Sequence, residues 1–192
     1  MKDGYVKEPA VATRANFNPK SMSKDALEEL KLEDGVRVHE SAKVDLDVYA
    51  QQNGVRRVKP FMLVIAENTD HASELVKLIE GERSSPAATR AASSRSTPAR
   101  RAQRRTRTSS ACSPSSAPDE PTEIVVHVNM LKEGWDVTNL YTIVPLRTAD
   151  SRTLVEQSIG RGLRLPYGKR TGVAAVDRLT IVAHDRFPGH RR

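Results

Sequence analysis

The stretch from Gln157 to Arg164 reads Q-x-x-G-R-x-x-R, and its residue types suit the gripping of a polyphosphate. Guanidinium stays charged and meets phosphate oxygens with a planar fork of donors. Arg161 and Arg164 are three residues apart, so on a helix they project from one face. Gly160 permits close backbone approach, and Gln157, one turn before Arg161, can orient a phosphate or a water by hydrogen bonding. A bare R-x-x-R is more often a surface pair on an amphipathic helix, where it contributes little. Upstream, Gly134 and Asp136 follow an expected strand, at the carboxyl edge where open α/β sheets bind ligands, although a lone Gly-x-Asp is usually a turn. Metal chemistry is not readable: the histidines at 39, 71, 127, 184 and 190 never pair at ligand spacing, and Cys112 is the single cysteine.

These residues need a scaffold, and the apolar pattern supplies one. Phe61 to Ala66 is a continuous apolar run of strand length, as in a buried parallel strand. Thr69 or Asp70 can then cap a helix with Ala72, Leu75, Val76 and Ile79 on one face, ended by Gly81. The rhythm resumes with strands at Ile124–Val128 and Tyr141–Val144, a helix from Ser151 to Arg164, and a strand at Leu179–Ala183. Alternation of this kind predicts an α/β fold built on a parallel sheet. Before residue 60 the pattern is weaker. Ser23 can cap a short helix carrying Leu27 and Leu30, Asn53-Gly54 is expected to turn, and Ala42, Val44, Leu46 and Val48 alternate like a strand in a stretch whose composition also allows helix.

Residues 84–118 break the rhythm. Ten Ser, eight Ala and four Pro make up 22 of these 35 residues, and none is Leu, Ile, Val, Met or aromatic. Such a stretch cannot bury a core and is expected to be disordered. Its seven Arg (90, 95, 100, 101, 104, 105 and 107), with no acid, equal the whole formal charge of +7, so the remainder of the chain is electroneutral. High overall basicity is therefore no argument that the folded part binds nucleic acid. The segment reads as a flexible linker, as a basic arm for nucleic acid, or as codons translated out of frame. With GC-rich codons, Ala102 to Ser116 read one base back gives G-A-E-E-D-E-D-V-E-R-L-L-A-V-E, an amphipathic helix with acids in its first turn. The same slide over Ser93 to Ala99 permits V-I-Q-V-D-S-S, a strand. No apolar run approaches the roughly 20 residues of a membrane span, and Met1-Lys2-Asp3-Gly4 opens no signal-peptide core. A soluble, cytoplasmic chain without a membrane partner is expected.

Glu133-Gly-Trp-Asp136 resembles motif V, and Gln157 to Arg164 resembles motif VI, of the second RecA-like lobe of superfamily 2 helicases. Gly4 to Arg14, Asn129 to Arg147 and Ser158 to Gly168 together resemble the restriction (Res) subunit of type III restriction-modification enzymes. The resemblance covers residues 1–83 and 119–187. It implies a P-loop NTPase-type lobe whose parent uses ATP and Mg²⁺ to translocate on DNA, cleaves DNA with a separate endonuclease domain, and works with a methyltransferase (Mod) subunit. By position, it makes Arg161 and Arg164 arginine fingers on the γ-phosphate, a role worth roughly three to five decades of rate. Gln157 would contact phosphate or the attacking water. Gly134, Asp136 and Gly160 would serve nucleotide and DNA binding, and Phe61 to Thr69 stands in the place of motif IV.

Several parts that this activity needs are not found. The G-x-x-x-x-G-K-[ST] loop is missing, since Gly168-Lys169 has Leu163 in place of the first Gly and is followed by Arg170. Asp119-Glu120 runs into Pro121-Thr122 and forms no DE-x-H box, and no P-D…(D/E)-x-K nuclease signature occurs. The expected organisation is an upstream segment of the helicase core (1–59), the start of a second RecA-like lobe (60–83), the aberrant segment (84–118), the rest of that lobe with motifs V and VI (119–187), and a tail (188–192). The chain is therefore expected to be a truncated fragment, inactive without the first RecA-like lobe. The alternatives are a non-catalytic basic fragment that binds nucleic acid and the product of a decayed gene.

Overall fold

The computed structural model describes residues 6–14, 21–81, 123–128, 138–146 and 163–183. In chain order these form β1 (Glu8–Ala12), α1 (Lys24–Asn53), β2 (Phe61–Ile65), α2 (Thr69–Gly81), β3 (Ile124–His127), β4 (Leu140–Pro145) and β5 (Arg178–Val182). The strands make one five-stranded sheet in the order β1-β5-β4-β2-β3, and every pairing is parallel. The α/β class and the parallel sheet expected from the sequence are present, and the sheet is compatible with a RecA-like fold. Residues 82–122, 129–137 and 147–162 lie outside the described residues, so the expectations for 84–118 and for most of the helix 151–164 do not meet the structure.

All five residues of β2 are buried, as the uninterrupted apolar run requires for a strand covered on both faces. One face carries Met62, Val64, Ile124, Val126, Val144 and Val182, packed with Leu32 of α1 and with Leu75, Val76 and Ile79 of α2. The other carries Phe61, Leu63, Ile65, Val125, Leu140, Ile143, Leu179 and Ile181, with Leu163 packed against them. The register slips between Phe61 and Met62, which face Leu140 and Thr142 of β4. Tyr141 is the extra residue of this bulge, and it packs with Leu46, Val58 and Val176.

Three expectations are corrected. The helix capped by Ser23 is not short: residues 24 to 53 form one continuous 30-residue helix, so the stretch from Ala42 to Val48, open between strand and helix in the sequence, is helix. Its buried positions Leu32, Gly35, His39, Leu46 and Ala50 recur at helical spacing, whereas Val44 and Val48, which suggested alternation, face solvent. Asn53-Gly54 is the end of that helix, with Gly54 left-handed at φ 60° and its N–H donating to the Ala50 carbonyl. Ser23 does cap α1, its Oγ accepting from the Ala26 N–H. In α2 the cap is Asn68 rather than Thr69 or Asp70: its Oδ1 accepts from the His71 N–H at 2.8 Å, and its carbonyl accepts from Ala72. Finally, Leu163 lies in a turn and Arg164 in an antiparallel bridge with Val6, so the last residues of the expected helix 151–164 are not helical.

Gly35 sets the distance between α1 and the sheet. A Cβ there would meet Val144 Cγ2 at 2.4 Å and Met62 Sδ at 3.2 Å, so α1 lies on β4 and β2 as closely as a bare backbone allows.

Candidate functional site

The strand order places a reversal of winding between β2 and β4. From β2 the chain passes through α2 outward to the edge strand β3, whereas from β4 it proceeds the other way to β5. Open α/β sheets bind ligands in the crevice beyond the carboxyl ends of two such strands. Ile65-Ala66-Glu67-Asn68 leaves β2 at that edge, and Leu146 leaves β4, its N–H donating to the Ile65 carbonyl at 3.0 Å.

The first turns of α1 and α2 bring charge to this edge. Lys24 Nζ lies 2.6 Å from Glu67 Oε2 and 3.9 Å from Glu28 Oε1. His71 Nε2 lies 3.0 Å from Glu28 Oε2, and its Nδ1 accepts from the Glu67 N–H at 3.3 Å. Arg14, just beyond β1, donates to both Asp34 oxygens at 2.7 Å. His127 ends β3 with its Nε2 buried and without a hydrogen-bond partner, and burial pushes its pKa down to about 4, so the ring is neutral. None of these residues belongs to the set picked out by sequence. Phe61 to Thr69, the stretch in the place of motif IV, was the sequence signal that reached this corner.

Of the sequence-predicted site residues, Arg164 alone is described. Gln157, Gly160 and Arg161, and Gly134 and Asp136, lie outside the described residues. Arg164 is exposed and pairs with Val6, just before β1, at the amino edge of the sheet. The helical argument that sets Arg161 and Arg164 on one face does not apply to it, because Arg164 has left the helix. As a donor set the predicted residues suit phosphate oxygens, with two guanidinium groups and an amide. They offer Mg²⁺ only the Asp136 carboxylate, and no group of three or more His, Cys, Asp or Glu among the described residues could hold a metal ion.

At the amino edge, sequence reasoning missed Lys7. Its backbone N–H donates to the Leu163 carbonyl at 2.6 Å, and its Nζ donates to the carbonyls of Thr138 and Leu140 at 2.8 Å each. The ammonium sits 4.0 Å from the Tyr141 ring centroid, and the residue is 1% exposed. Burial pushes its pKa down to about 7, against the opposing attraction of Asp177. The Asp177 carboxylate accepts from the Thr171 and Gly172 N–H groups and from the Thr171 hydroxyl, while the Asp177 carbonyl accepts from the Glu8 N–H. Tyr141 donates its hydroxyl to the Val176 carbonyl at 3.0 Å, and burial raises its pKa. No sequence signal marks Lys7, because a single lysine at the start of a short strand ordinarily faces water.

No family model matches the chain. Over 51 residues, 27% of its length, it is 44% identical to the EcoPI Res subunit of a type III restriction-modification enzyme from Escherichia phage P1. It is 44% identical over 51 residues to the EcoP15I Res subunit from Escherichia coli as well. The matched stretch makes up 5% of each of those proteins, so the chain spans a small part of the length of the relatives it resembles. The chain thus shares partial similarity with Res subunits of type III restriction enzymes.

Proposed function

We propose that this chain is a fragment of the ATP-dependent DNA translocase core of a type III Res subunit, belonging to the second RecA-like lobe. The partial identity with two Res subunits carries the proposal. The parallel sheet with its reversal between β2 and β4 supports it. Arg161 and Arg164 bind the γ-phosphate and stabilise charge on the transferring phosphoryl group, and Gln157 orients phosphate or water. Gly134, Asp136 and Gly160 serve the nucleotide and DNA surfaces. ATP and Mg²⁺ are cofactors of the parent enzyme, with Mg²⁺ held by its N-terminal RecA-like lobe. DNA and the methyltransferase (Mod) subunit are the parent's partners.

Half of a nucleotide site positions neither the metal nor the nucleophile, so the isolated chain hydrolyses no ATP. The test is DNA-stimulated hydrolysis by the purified chain. Turnover above background that disappears in Arg161→Ala would overturn the proposal.

A second reading rests on the seven acid-free arginines of 84–118, which suit electrostatic binding of nucleic acid. Binding that falls steeply with salt and is lost on deleting this segment supports that reading, and binding indifferent to the deletion opposes it.

A further inference from the structure

Outside residues 84–118 the chain is electroneutral, yet its charge is not evenly spread. The segments 54–59 and 166–178, at the amino ends of β2 and β5, carry Arg56, Arg57, Lys59, Lys169, Arg170 and Arg178 against one acid, Asp177. Asp177 is buried, with its carboxylate turned onto the Thr171 and Gly172 N–H groups. The two segments meet: Arg56 donates to the Pro166 carbonyl, and the Tyr167 hydroxyl donates to the Arg56 carbonyl at 3.2 Å. The Tyr167 ring lies 5.6 Å from that of Tyr49 on α1, tilted by 45°. Arg57 is paired with Asp47 and Arg170 with Glu8, and Lys59 lies 3.9 Å from Glu123. Arg56, Lys169 and Arg178 are exposed, and none has a carboxylate within ion-pair distance among the described residues. We propose that this amino edge of the sheet binds single-stranded nucleic acid, with phosphates on Arg56, Lys169 and Arg178 and a base against the Tyr49–Tyr167 pair.

Cations without carboxylate partners are the groups that displace counterions from a phosphate backbone. Four of the six are arginine, whose planar fork meets phosphate oxygens with two parallel hydrogen bonds. Cations alone would equally suit an acidic protein, but the aromatic pair beside them supplies a flat face on which a base stacks. Bases in a duplex are already stacked on one another, so a single strand is the partner that uses both features. Gly168, left-handed at φ 70°, makes the turn between Tyr167 and Lys169, and the bond from the Tyr167 hydroxyl holds its ring beside Arg56. Asp177 ties the end of the same loop to the start of β5, next to Arg178. The surface lies at the opposite edge of the sheet from the crevice between β2 and β4 and uses no residue of 84–118. It therefore stands independently of both readings of the function given above.

The test is fluorescence anisotropy of a labelled single-stranded DNA of about 20 nucleotides, titrated with the full 192-residue chain. Lys169→Glu together with Arg178→Glu is expected to weaken binding about tenfold or more and to lower the slope of log affinity against log salt by about one. Both side chains are exposed, so the fold does not depend on them, and circular dichroism checks this. Arg37→Glu together with Lys77→Glu makes the same change of net charge on α1 and α2, and should weaken binding by less than about threefold. Tyr167→Leu should weaken binding roughly fivefold or more at an unchanged salt slope, whereas Tyr167→Phe, which keeps the ring, should bind within about twofold of the native chain. The proposal is overturned if the native chain does not bind, if neither charge-reversed pair alters binding, or if the two pairs weaken it equally. Native-strength binding by Tyr167→Leu would overturn it as well.

Discussion

The ammonium of Lys7 lies 4.0 Å from the centre of the Tyr141 ring, inside the protein, with its nitrogen bonded to the carbonyls of Thr138 and Leu140. Tyr141 is available there because the β2–β4 register slips at Phe61/Met62, turning one residue of β4 out of the regular alternation. A one-residue irregularity in a strand thus builds the wall of a cation site.

Burial of this cation makes stability depend on pH on the alkaline side. The folded pKa is about 7 against 10.5 for an ordinary lysine, so from pH 7 to 10 the unfolded chain binds the extra proton. Stability should therefore rise with pH across this window, by about 3 kcal/mol between pH 7 and 9.5. Urea unfolding at several pH values measures it. A flat profile, or one unchanged in Lys7→Met, contradicts the assignment.

His39 and His127 act on the acid side. Burial depresses both to about 4, chiefly by desolvation, so each contributes stability that is complete above pH 6.5 and lost as pH falls toward 4. His39 is fully buried and neither ring nitrogen has a hydrogen-bond partner. His39→Leu should flatten the acid limb of a stability profile. An acid limb identical to that of the native chain would show that His39 is not desolvated.

Gly35→Ala tests the close approach of α1. Alanine favours helix by about 1 kcal/mol over glycine, yet its Cβ would meet Val144 at 2.4 Å. The net effect is expected to be a loss of about 1–3 kcal/mol. Val144→Ala in the same chain should recover part of it, giving a clear coupling energy in the double-mutant cycle. Strict additivity would place the glycine elsewhere than against β4.

Asn68→Ala should cost about 1 kcal/mol through loss of the α2 cap, whereas Thr69→Ala and Asp70→Ala should each cost clearly less. Thermal unfolding of the three variants ranks them. Equal losses would return the cap to the ambiguity of the sequence.

The coding DNA decides the origin of residues 84–118. Codons that restore a strand and an acidic amphipathic helix on a one-base slide are expected. Codons incompatible with the slide contradict the frame-shift account and leave the basic segment as an authentic part of the chain.

What the sequence made legible follows from where the determinants are local. Phe61 to Ala66 and the face Ala72, Leu75, Val76 and Ile79 carry their own periodicity, so β2 and α2 were readable, as were β3, β4 and β5 to within a residue or so. The edge strand β1 was not, because Glu8-Pro9-Ala10 has little strand propensity and is held by pairing with the distant β5. The length of α1 was hidden by Gly35 in its interior and by valines on its outer face. Lys7 was unreadable for a stronger reason: only contacts with residues 138–141 and 163, far away in sequence, make it buried. Of the predicted site, Arg164 alone meets the structure. It sits at the amino edge of the sheet, a position set by the Val6 pairing and not by the local motif.

Under the proposed function, this chain supplies the phosphate-gripping arginines of a two-lobed translocase. The most direct measurement is DNA-stimulated ATP hydrolysis by the chain alone and by the chain joined to the first RecA-like lobe of a type III Res subunit. Hydrolysis is expected only in the joined protein, falling by about three decades or more in Arg161→Ala. Hydrolysis by the chain alone, or by the joined protein at undiminished rate when Arg161 and Arg164 are both alanine, would contradict it.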